Sequence, residues 1–391
     1  MCIANRTPTP FWSMSTIFLL FAWSIAGFSQ TPAQLRAGKL LKGINVGSVG
    51  QNVEPECCQT VDEVARLQAL GFDHVRLGVF LSSVCDCRTT GDLQATQVDR
   101  VFARIKTFTD SKMPVIVTVR LKNPKGELEF DLQEEGFGQR LEKFWTLFAI
   151  KLKQLPDDLV FPEVLNEPYE KPQGDELKLI QDWVKTKQPN LIKAIHDNAG
   201  PKTVIATGAR GSTPYGLFWL SLEKLDDDVI YSFHYYNPRP FAFDGKGHYP
   251  SPLYPLLLQS INPGDDNLLR GELYDQNYIA EFSYWDQKRI KAELDAVHDW
   301  SKSHNVAVIC DEFGVRKTAD GSTTDEHLIE RRQWIDNVRS QLVKDGIGWT
   351  FWDYSDCQQK LEPCAHDHFG LLKGDGTEDL DVEQALGLKR K

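Results

Sequence analysis

Two glutamates end short apolar runs in this chain. Glu167 closes the run VFPEVLNE at residues 160–167, and Glu312 closes VAVICDE at residues 306–312. Two carboxyl groups on either side of a reacting bond can work together, one as proton donor and the other as nucleophile or base. A salt bridge or a loop cap explains each glutamate equally well on its own. The hypothesis therefore requires a fold that brings the two together.

Four other side chains have types and positions that suit the same site. Arg76 lies inside the apolar run HVRLG, where a buried guanidinium needs a carboxylate partner. His234 and Tyr236 alternate in SFHYYN, so both point to one side of an extended chain. Trp352 ends the run WTFW and offers a flat apolar face of the sort that stacks on a sugar ring.

Eight β-rich apolar runs, separated by helical patterns, must position these residues. The runs are apolar rather than alternating, as in a parallel sheet covered by helices. Eight such units predict an α/β fold, a (β/α)8 TIM barrel, in which strand ends converge at one mouth. A doubly wound open sheet is the alternative, but no G-x-G-x-x-G or P-loop follows any run. The predicted strands are Leu41–Val46, His74–Val79, Pro114–Arg120, Val160–Leu165, Thr203–Thr207, Val229–Tyr235, Val306–Cys310 and Gly346–Trp352.

The intervening segments space apolar residues at three and four, which predicts helices. Thr60 and Glu63 form a capping-box pattern, and Gly71 is a suitable stop for the helix that follows. Trp145, Trp183, Trp219 and Trp334 lie in helical patterns and are expected in the core. The other predicted helices are Gln97–Met113, Gly138–Leu155, Asp175–His196, Asp286–His304 and Glu326–Lys344.

One connection is much longer than the others. About fifty residues rich in proline, glycine and aromatics, from Tyr236 to Trp285, follow the sixth strand. In a barrel such a loop rises at the carboxyl end of the strands, where it forms one wall of a cleft or packs on itself.

Composition limits the functional classes. The chain has 391 residues, 41% of them hydrophobic, a net charge of -11 and no long basic run. It lacks the cationic stripe of a nucleic-acid binder, and we expect a neutral or weakly charged substrate. We expect a single catalytic domain over residues 30–391, a monomer without a partner protein.

The N-terminus predicts export. Arg6 precedes an apolar run from Phe11 to Phe28, and small residues lead up to Ser29. This order is typical of a secretory signal peptide spanning residues 1–29, and the mature protein would be extracellular or periplasmic. A retained membrane anchor is the alternative.

Export permits disulfides among the eight cysteines. The clustering suggests that Cys57 and Cys58 meet Cys85 and Cys87, and that a short loop is closed by a second pair, Cys357 with Cys364. The adjacent Cys57-Cys58 lacks the spacing of zinc ligands.

No metal or cofactor is expected from the remaining signals. Cys310 lies in an apolar strand and is interpreted as a buried free thiol. His366-Asp367-His368 has no evident third ligand, and the acidic segment at residues 374–379 lacks calcium-loop spacing.

The ordered set of motifs resembles glycoside hydrolase family 5, the cellulase family of clan A. The resemblance extends from about residue 41 to 375 and is strong because the motifs occur in the family's order and on the expected strands. The motifs that carry the resemblance are Arg76 in VRL, Asn166-Glu167-Pro168, His234-Tyr235-Tyr236, Glu312 in DEFG, and Trp352.

The resemblance implies a retaining double displacement. Glu167 would be the general acid and then the base, and Glu312 the nucleophile, with different environments separating their protonation. Arg76 would keep Glu312 charged and Tyr236 would hydrogen-bond it. The same resemblance implies that Asn166 would hold the 2-hydroxyl of the sugar. His234 would line the subsite that binds this sugar, and Trp352 would form the floor of that subsite. Asn45, at the end of the first strand, is a further cleft candidate or a turn former.

One position departs from the family pattern. A histidine is usual at the end of the third strand, and PVIVTVRLKN at residues 114–123 has none. Arg120 or Lys122 would fill that space.

These features together predict a secreted hydrolase of β-linked glycan. The segment HYYNPRPFAF is similar to that of bacterial cellulases, so an endo-β-1,4-glucanase is the first expectation. A β-mannanase, or another member acting on β-glucan or xylan, is the alternative. A catalytically silent glycan-binding barrel would be expected to have lost one glutamate. A metal-dependent barrel hydrolase would need clustered His and Asp at strand ends, where only His234 qualifies.

Overall fold

Eight parallel strands close into a barrel, in the order in which they occur along the chain. β1 pairs with both its neighbours, since Ile44 lies opposite Val75 on one side and Phe351 on the other. This closure confirms the (β/α)8 TIM barrel and excludes the open sheet. The strands are β1 (Lys42–Val49), β2 (His74–Phe80), β3 (Val115–Arg120), β4 (Val160–Glu163), β5 (Val204–Thr207), β6 (Val229–Tyr235), β7 (Ala307–Phe313) and β8 (Gly348–Phe351).

The fold is seen in a computed structural model. It describes residues 30–50, 60–123, 125–169, 175–222, 224–243, 248–252, 284–317, 324–355, 369–373 and 377–389. From Thr31 onward the described chain forms one compact unit. Among the described residues, no helix combines the length and apolar character needed to cross a bilayer.

Four strands, β1, β4, β7 and β8, differ from the predicted length by two residues or more. β1 continues past Val46 because Gly47, at φ 85°, allows a bulge, after which Ser48 pairs with Gly78. β4 ends at Glu163, although Val164 N still donates to Ile205 O of β5. β7 extends through Glu312, which therefore lies on a strand rather than after one. β8 is shorter than predicted at both ends.

Helices cover the outside of the barrel. The capping box of Thr60 and Glu63 and the left-handed stop at Gly71 are confirmed. The segment predicted as one helix from Asp175 is two helices joined by a π-helical turn at Trp183–Lys187, and a 3-10 turn spans Trp219–Leu222. The helices are α1 (Pro32–Ala37), α2 (Val61–Leu70), α3 (Leu81–Val84), α4 (Ala95–Asp110), α5 (Phe137–Leu152), α6 (Glu176–Asp182), α7 (Gln188–Asn198), α8 (Pro214–Phe218), α9 (Arg239–Ala242), α10 (Gln287–His304), α11 (Asp325–Lys344) and α12 (Leu380–Ala385).

The barrel interior is a separate small core. Apolar side chains from the consecutive strands β3 to β7 meet there, among them Ile116, Phe161 and Ile230. Ala33 of α1 joins this cluster, and its N–H donates to the carbonyl of Asp227 just before β6. α1 therefore packs against the beginnings of the strands, opposite the end where catalytic side chains are expected.

The helical tryptophans are buried, as predicted, and three of them contact the ends of the strands. Trp145 donates its indole N–H to Val164 O (3.0 Å), Trp183 to Thr207 O (2.9 Å), and Trp334 to Asn237 O (2.9 Å). These bonds fix the chain as it leaves β4, β5 and β6. Trp219 is also buried.

The cysteine pairing differs from the expectation. Cys85 is joined to Cys87, with their Cα atoms 5.0 Å apart, rather than to the pair at 57–58. Cys310 is a buried free thiol, as predicted. The segment that follows Cys85 folds back as a tight turn, because Cys85 bridges Leu93 and several amides bond Asp86 O.

Several predictions fall outside the described residues. They concern the signal peptide, Cys57, Cys58, Cys357, Cys364, His366-Asp367-His368 and most of the segment after β6. Within that segment, Ser251–Pro252 pairs with Tyr284–Trp285 in a short antiparallel ladder.

Candidate active site

Glu167 lies on a tight turn just beyond β4. The Asn166 N–H donates to Val119 O (2.8 Å), so the turn is held to β3. Glu167 and Tyr169 have left-handed φ angles of 47° and 50°. Such a conformation costs a non-glycine residue about 1–2 kcal/mol, and it concentrates at functional sites. The turn aims the Glu167 carboxylate into the mouth of the barrel.

Glu312 is held by two strong hydrogen bonds on β7. Arg76 Nη1 donates to its Oε2 and the Tyr236 hydroxyl to its Oε1, both at 2.8 Å. The side chain of Glu312 is only 6% exposed. The two partners predicted for this carboxylate therefore contact it directly.

His234 lies between the two glutamates. Its Nδ1 is 3.1 Å from Glu167 Oε1 and 3.8 Å from Glu312 Oε1. One carboxylate oxygen of each glutamate and a ring nitrogen of His234 lie within 4.8 Å of one another. The barrel thus brings together two carboxylates that are far apart in sequence.

Arg76 is the buried centre of the charge network. Nε and Nη2 bind Glu163 in a bidentate pair, each at 2.7 Å, and Nε is 3.6 Å from Asp311. Burial lowers the pKa of Arg76, but Glu163, Asp311 and Glu312 outweigh it and raise that pKa well above its ordinary value. The guanidinium stays charged and neutralises the carboxylates around it.

Glu163 and Asp311 were not predicted as site residues. Glu163 also accepts a hydrogen bond from the Thr118 hydroxyl (2.8 Å). Burial and the nearby Glu163 raise the pKa of Asp311 to about 7, against the opposing effects of Arg76 and His234. The signal for Glu163 was available, since a charged residue inside the run VFPEVL needs a buried partner.

The pKa values of Glu167 and His234 are shifted in opposite directions. Burial raises the pKa of Glu167, but the hydrogen bond and charge of His234, with Lys122 and Arg120, lower it to about 2. Burial lowers the pKa of His234, but Glu312, Glu167 and Asp311 together raise it. These shifts favour a proton on His234 over one on Glu167.

Asparagine side chains complete the network. Asn166 Oδ1 accepts from Arg76 Nη2 (2.8 Å), which leaves its amide group to face the cleft. Asn45 accepts from Arg76 Nη1 (3.1 Å), and its amide donates to Asp311 O and Phe351 O, each at 3.2 Å. Asn45 therefore holds β1, β7 and β8 to the buried guanidinium.

The position of the missing histidine is occupied by basic residues. The Arg120 guanidinium lies 4.7 Å from the ring centroid of Trp352, which follows β8, and its Nη2 is 3.5 Å from Glu312 Oε2. Lys122 Nζ is 3.8 Å from Glu167 Oε2. Arg120 therefore lies close to Glu312, and Lys122 lies close to Glu167.

A cleft of about 540 Å³ opens beside Glu167. Residues after β3 and β4 line it, including Arg120, Lys122, Phe130, Asn166 and Tyr169. The volume of the cleft is enough for a sugar-sized ligand next to the Glu167 carboxylate.

Metal-ligating groups meet in two places among the described residues. One is the set Glu167, His234 and Glu312, and the other is a surface set of His248, Glu326 and Glu330. In the first set every member is hydrogen-bonded within the protein, and the cations of Arg76 and Lys122 oppose a further positive charge.

A closed (β/α)8 barrel with two carboxylates meeting at the carboxyl ends of its strands defines a barrel enzyme of the carboxylate type. Residues 40–358 match the family model of the cellulases, glycosyl hydrolase family 5. The chain belongs to this family of glycoside hydrolases, as its motifs predicted.

Relatives and solved structures agree with this assignment. A xyloglucan-specific endo-β-1,4-glucanase (BoGH5A) of Bacteroides ovatus is 23% identical over 82% of this chain and 63% of its own length. Endoglucanase B of Ruminococcus albus is 26% identical over 83% of this chain and 73% of its own. The chain therefore spans less than two thirds of the Bacteroides protein.

The fold is shared with Thermotoga maritima Cel5A, solved in complex with cellobiose and with mannotriose. Both structures have a TM-score of 0.66 and cover 90% of this chain and 99% of their own, at 21% and 20% identity. At this identity the likeness shows the fold alone.

Proposed function

We propose that this protein is an exported, retaining glycoside hydrolase that cleaves β-linked glycan, in the first place as an endo-β-1,4-glucanase. The observation that carries the proposal is the approach of the two carboxylates, with one oxygen of each inside a 4.8 Å cluster. Retaining enzymes hold their carboxyl groups about 5–5.5 Å apart, whereas inverting enzymes need about 6.5–9.5 Å for an intervening water.

Glu312 is the nucleophile in this mechanism. Arg76 binds one oxygen of its carboxylate, and Tyr236 orients it from the other oxygen. A bond forms between a Glu312 oxygen and the anomeric carbon as the bond to the leaving oxygen breaks. The product of this step is a glycosyl ester of the enzyme.

Glu167 is the acid and then the base. In the first step a proton passes from His234 to Glu167, across 3.1 Å, and from Glu167 to the leaving oxygen. Esterification of Glu312 removes its negative charge, which lowers the pKa of His234, so the step ends with Glu167 ionised and His234 neutral. In the second step the Glu167 carboxylate takes a proton from the water that releases the sugar.

The choice of glycan follows the activities for which the relatives are named. Two of them are endoglucanases, one specific for xyloglucan, and the solved Thermotoga protein was captured with both a glucan and a mannan fragment. β-1,4-Glucan is therefore the first candidate, and mannan and xylan remain alternatives. Export is supported by the order of basic, apolar and small residues before residue 30.

Product analysis on soluble β-glucan, xyloglucan, β-mannan and xylan tests the proposal. We expect rapid loss of viscosity on a β-1,4-glucan, products whose first-formed anomer is β, and full activity in a chelator. An α-anomer would contradict retention, and loss of activity on chelation would favour a metal-dependent mechanism. Binding of a glycan without cleavage of any member of the panel would favour the catalytically silent barrel.

A further inference from the structure

Arg120 occupies a fitted space at the mouth of the barrel. On one side its guanidinium lies over the Trp352 ring, and on another it approaches Glu312. On a third side lies Gly78 of β2, where an added Cβ would come within 2.9 Å of Arg120 Nε. The absence of a side chain at Gly78 therefore makes room for this arginine.

Lys122 extends the same cationic surface along the chain. Arg120 and Lys122 are two residues apart in an extended segment, so their side chains point to the same side. Hydrogen bonds hold the loop that follows. The Asn123 side chain accepts from the Glu127 N–H, and Lys122 forms a backbone β-bridge with Leu128. The two side chains are 17% and 35% exposed, so a ligand in the cleft can reach both.

These cations change the charge balance of the cleft. They stand beside the two catalytic carboxylates, while the buried Arg76 offsets Glu163. Asp311 holds its proton up to about pH 7 because burial raises its pKa. An anion entering from the side of β3 would therefore meet two positive charges, although the whole chain carries a net charge of -11.

An acidic residue also lines this cleft. Asp131 lies on its outer wall, where its carboxylate accepts the Gln133 N–H (2.9 Å). Arg120 and Lys122 lie 3.5 and 3.8 Å from Glu312 and Glu167, so each cation faces the cleft with a glutamate of the protein beside it. These distances exceed those of a short hydrogen bond, so a carboxylate of the ligand can compete for both cations.

We propose that Arg120 and Lys122 form a subsite for a carboxylate carried by the substrate, so that the preferred glycan is an acidic β-glycan rather than a neutral one. The inference rests on the proposed glycosidase activity and narrows its substrate class. A guanidinium pairs with a planar carboxylate in a bidentate geometry, and an adjacent ammonium adds a point charge. The acidic chain as a whole led us to expect a neutral or weakly charged substrate, and the local charges reverse that expectation.

Two cellulose ethers with the same backbone test the inference. Carboxymethyl cellulose carries carboxylates and hydroxyethyl cellulose is neutral, so the ratio of kcat/KM on the two isolates the effect of charge. We expect the wild type to favour the anionic polymer about tenfold at low ionic strength, and the ratio to fall several-fold as salt screens the cations. Arg120→Gln and Lys122→Gln should each lower the ratio about three- to tenfold.

The ratio corrects for any general loss of activity in a variant, because such a loss affects both polymers. Lys125→Gln is the matched control, since Lys125 belongs to the same loop but does not line the cleft. A wild-type ratio near one, or an equal fall in the ratio for Lys125→Gln, would overturn the inference.

A binding measurement separates this inference from the proposed activity. Affinity electrophoresis in gels containing each polymer reports binding whether or not cleavage occurs. If neither polymer is cleaved, the glucanase proposal fails, and retardation by the anionic polymer alone would still support the carboxylate subsite. Equal retardation in both gels would reject it.

Discussion

The two glutamates of this barrel are held in opposite ways. Glu312 lies within the regular strand β7 and accepts two hydrogen bonds of 2.8 Å from Arg76 and Tyr236. Glu167 lies past the end of β4, in a left-handed turn, and its nearest basic partners are His234 at 3.1 Å and Lys122 at 3.8 Å. The Glu167 side chain is 17% exposed and that of Glu312 only 6%.

This difference matches what each role requires. A nucleophile has one target atom and gains from a fixed position, which a strand and two short bonds provide. An acid and base must exchange protons with a leaving group and with water, which needs exposure and a titratable neighbour. The predictions below examine this division, beginning with the largest effect.

Removing the nucleophile should abolish turnover. We expect Glu312→Gln to lower kcat by about 10⁴-fold or more, because no other group can form the ester. The amide keeps the volume of the side chain, so circular dichroism and Tm should show a folded protein. Activity above about one hundredth of the wild type would break the assignment.

Removing the acid should have an effect that depends on the leaving group. We expect Glu167→Ala to slow cleavage of a glycan about 10²–10⁴-fold, because an alkoxide must leave without a proton. Aryl glycosides with acidic phenols need little protonation, so on these the first step should be nearly unaffected. Pre-steady-state release of the phenol measures the rate of this first step. An equal fall in rate on the glycan and on the aryl glycoside would contradict the role of Glu167 as the acid.

Removing a hydrogen bond that holds Glu312 should reduce activity less than removing the Glu312 carboxylate itself. Tyr236→Phe deletes one hydrogen bond to a charged oxygen, a change worth about 1.5–3 kcal/mol, and should lower kcat about 10–100-fold. Because the hydroxyl contacts Glu312 and not Glu167, the loss should be similar for good and poor leaving groups. Comparison of two aryl glycosides checks this, with Tyr235→Phe, which removes a bond to Glu293 instead, as the control.

The smallest effect on activity is expected at Asp311, which directly precedes Glu312 on β7. Its folded pKa of about 7 lies above the ordinary 3.8, so the stability gained from its protonation is full below pH 3.8 and lost as pH rises through 7. Asp311→Asn cannot ionise and should avoid that loss, by on the order of 4 kcal/mol at pH 8. The Tm values of the wild type and of Asp311→Asn at pH 5 and pH 8 measure this gain in stability. An equal difference in Tm at the two pH values would refute the titration of Asp311 in the folded protein.

The sequence predicted the barrel, and the barrel brings the predicted residues Glu167, His234 and Glu312 close together. Apolar runs at regular intervals require a closed parallel sheet, and once the sheet closes, Glu167 and Glu312 must meet at its mouth. Arg76 was recognised because a charge in a buried strand needs a partner. The partner expected was Glu312, and the structure adds Glu163, which binds the same guanidinium at two points.

The remaining features depend on distances that one sequence does not contain. Local geometry joins Cys85 to Cys87, whereas the spacing alone allowed several pairings. The raised pKa of Asp311 arises first from its burial and then from the carboxylate of Glu163, which belongs to a strand that does not neighbour β7. The left-handed conformations of Glu167 and Tyr169 occur at positions where the sequence has no glycine to indicate them.

The bond from Trp334 to Asn237 O has a consequence for how this enzyme can diversify. It fixes the chain just after Tyr236, and the ladder of Ser251–Pro252 with Tyr284–Trp285 brings residues 252 and 284 together. Insertions and deletions between residues 252 and 284 would therefore leave the hydroxyl partner of Glu312 in place.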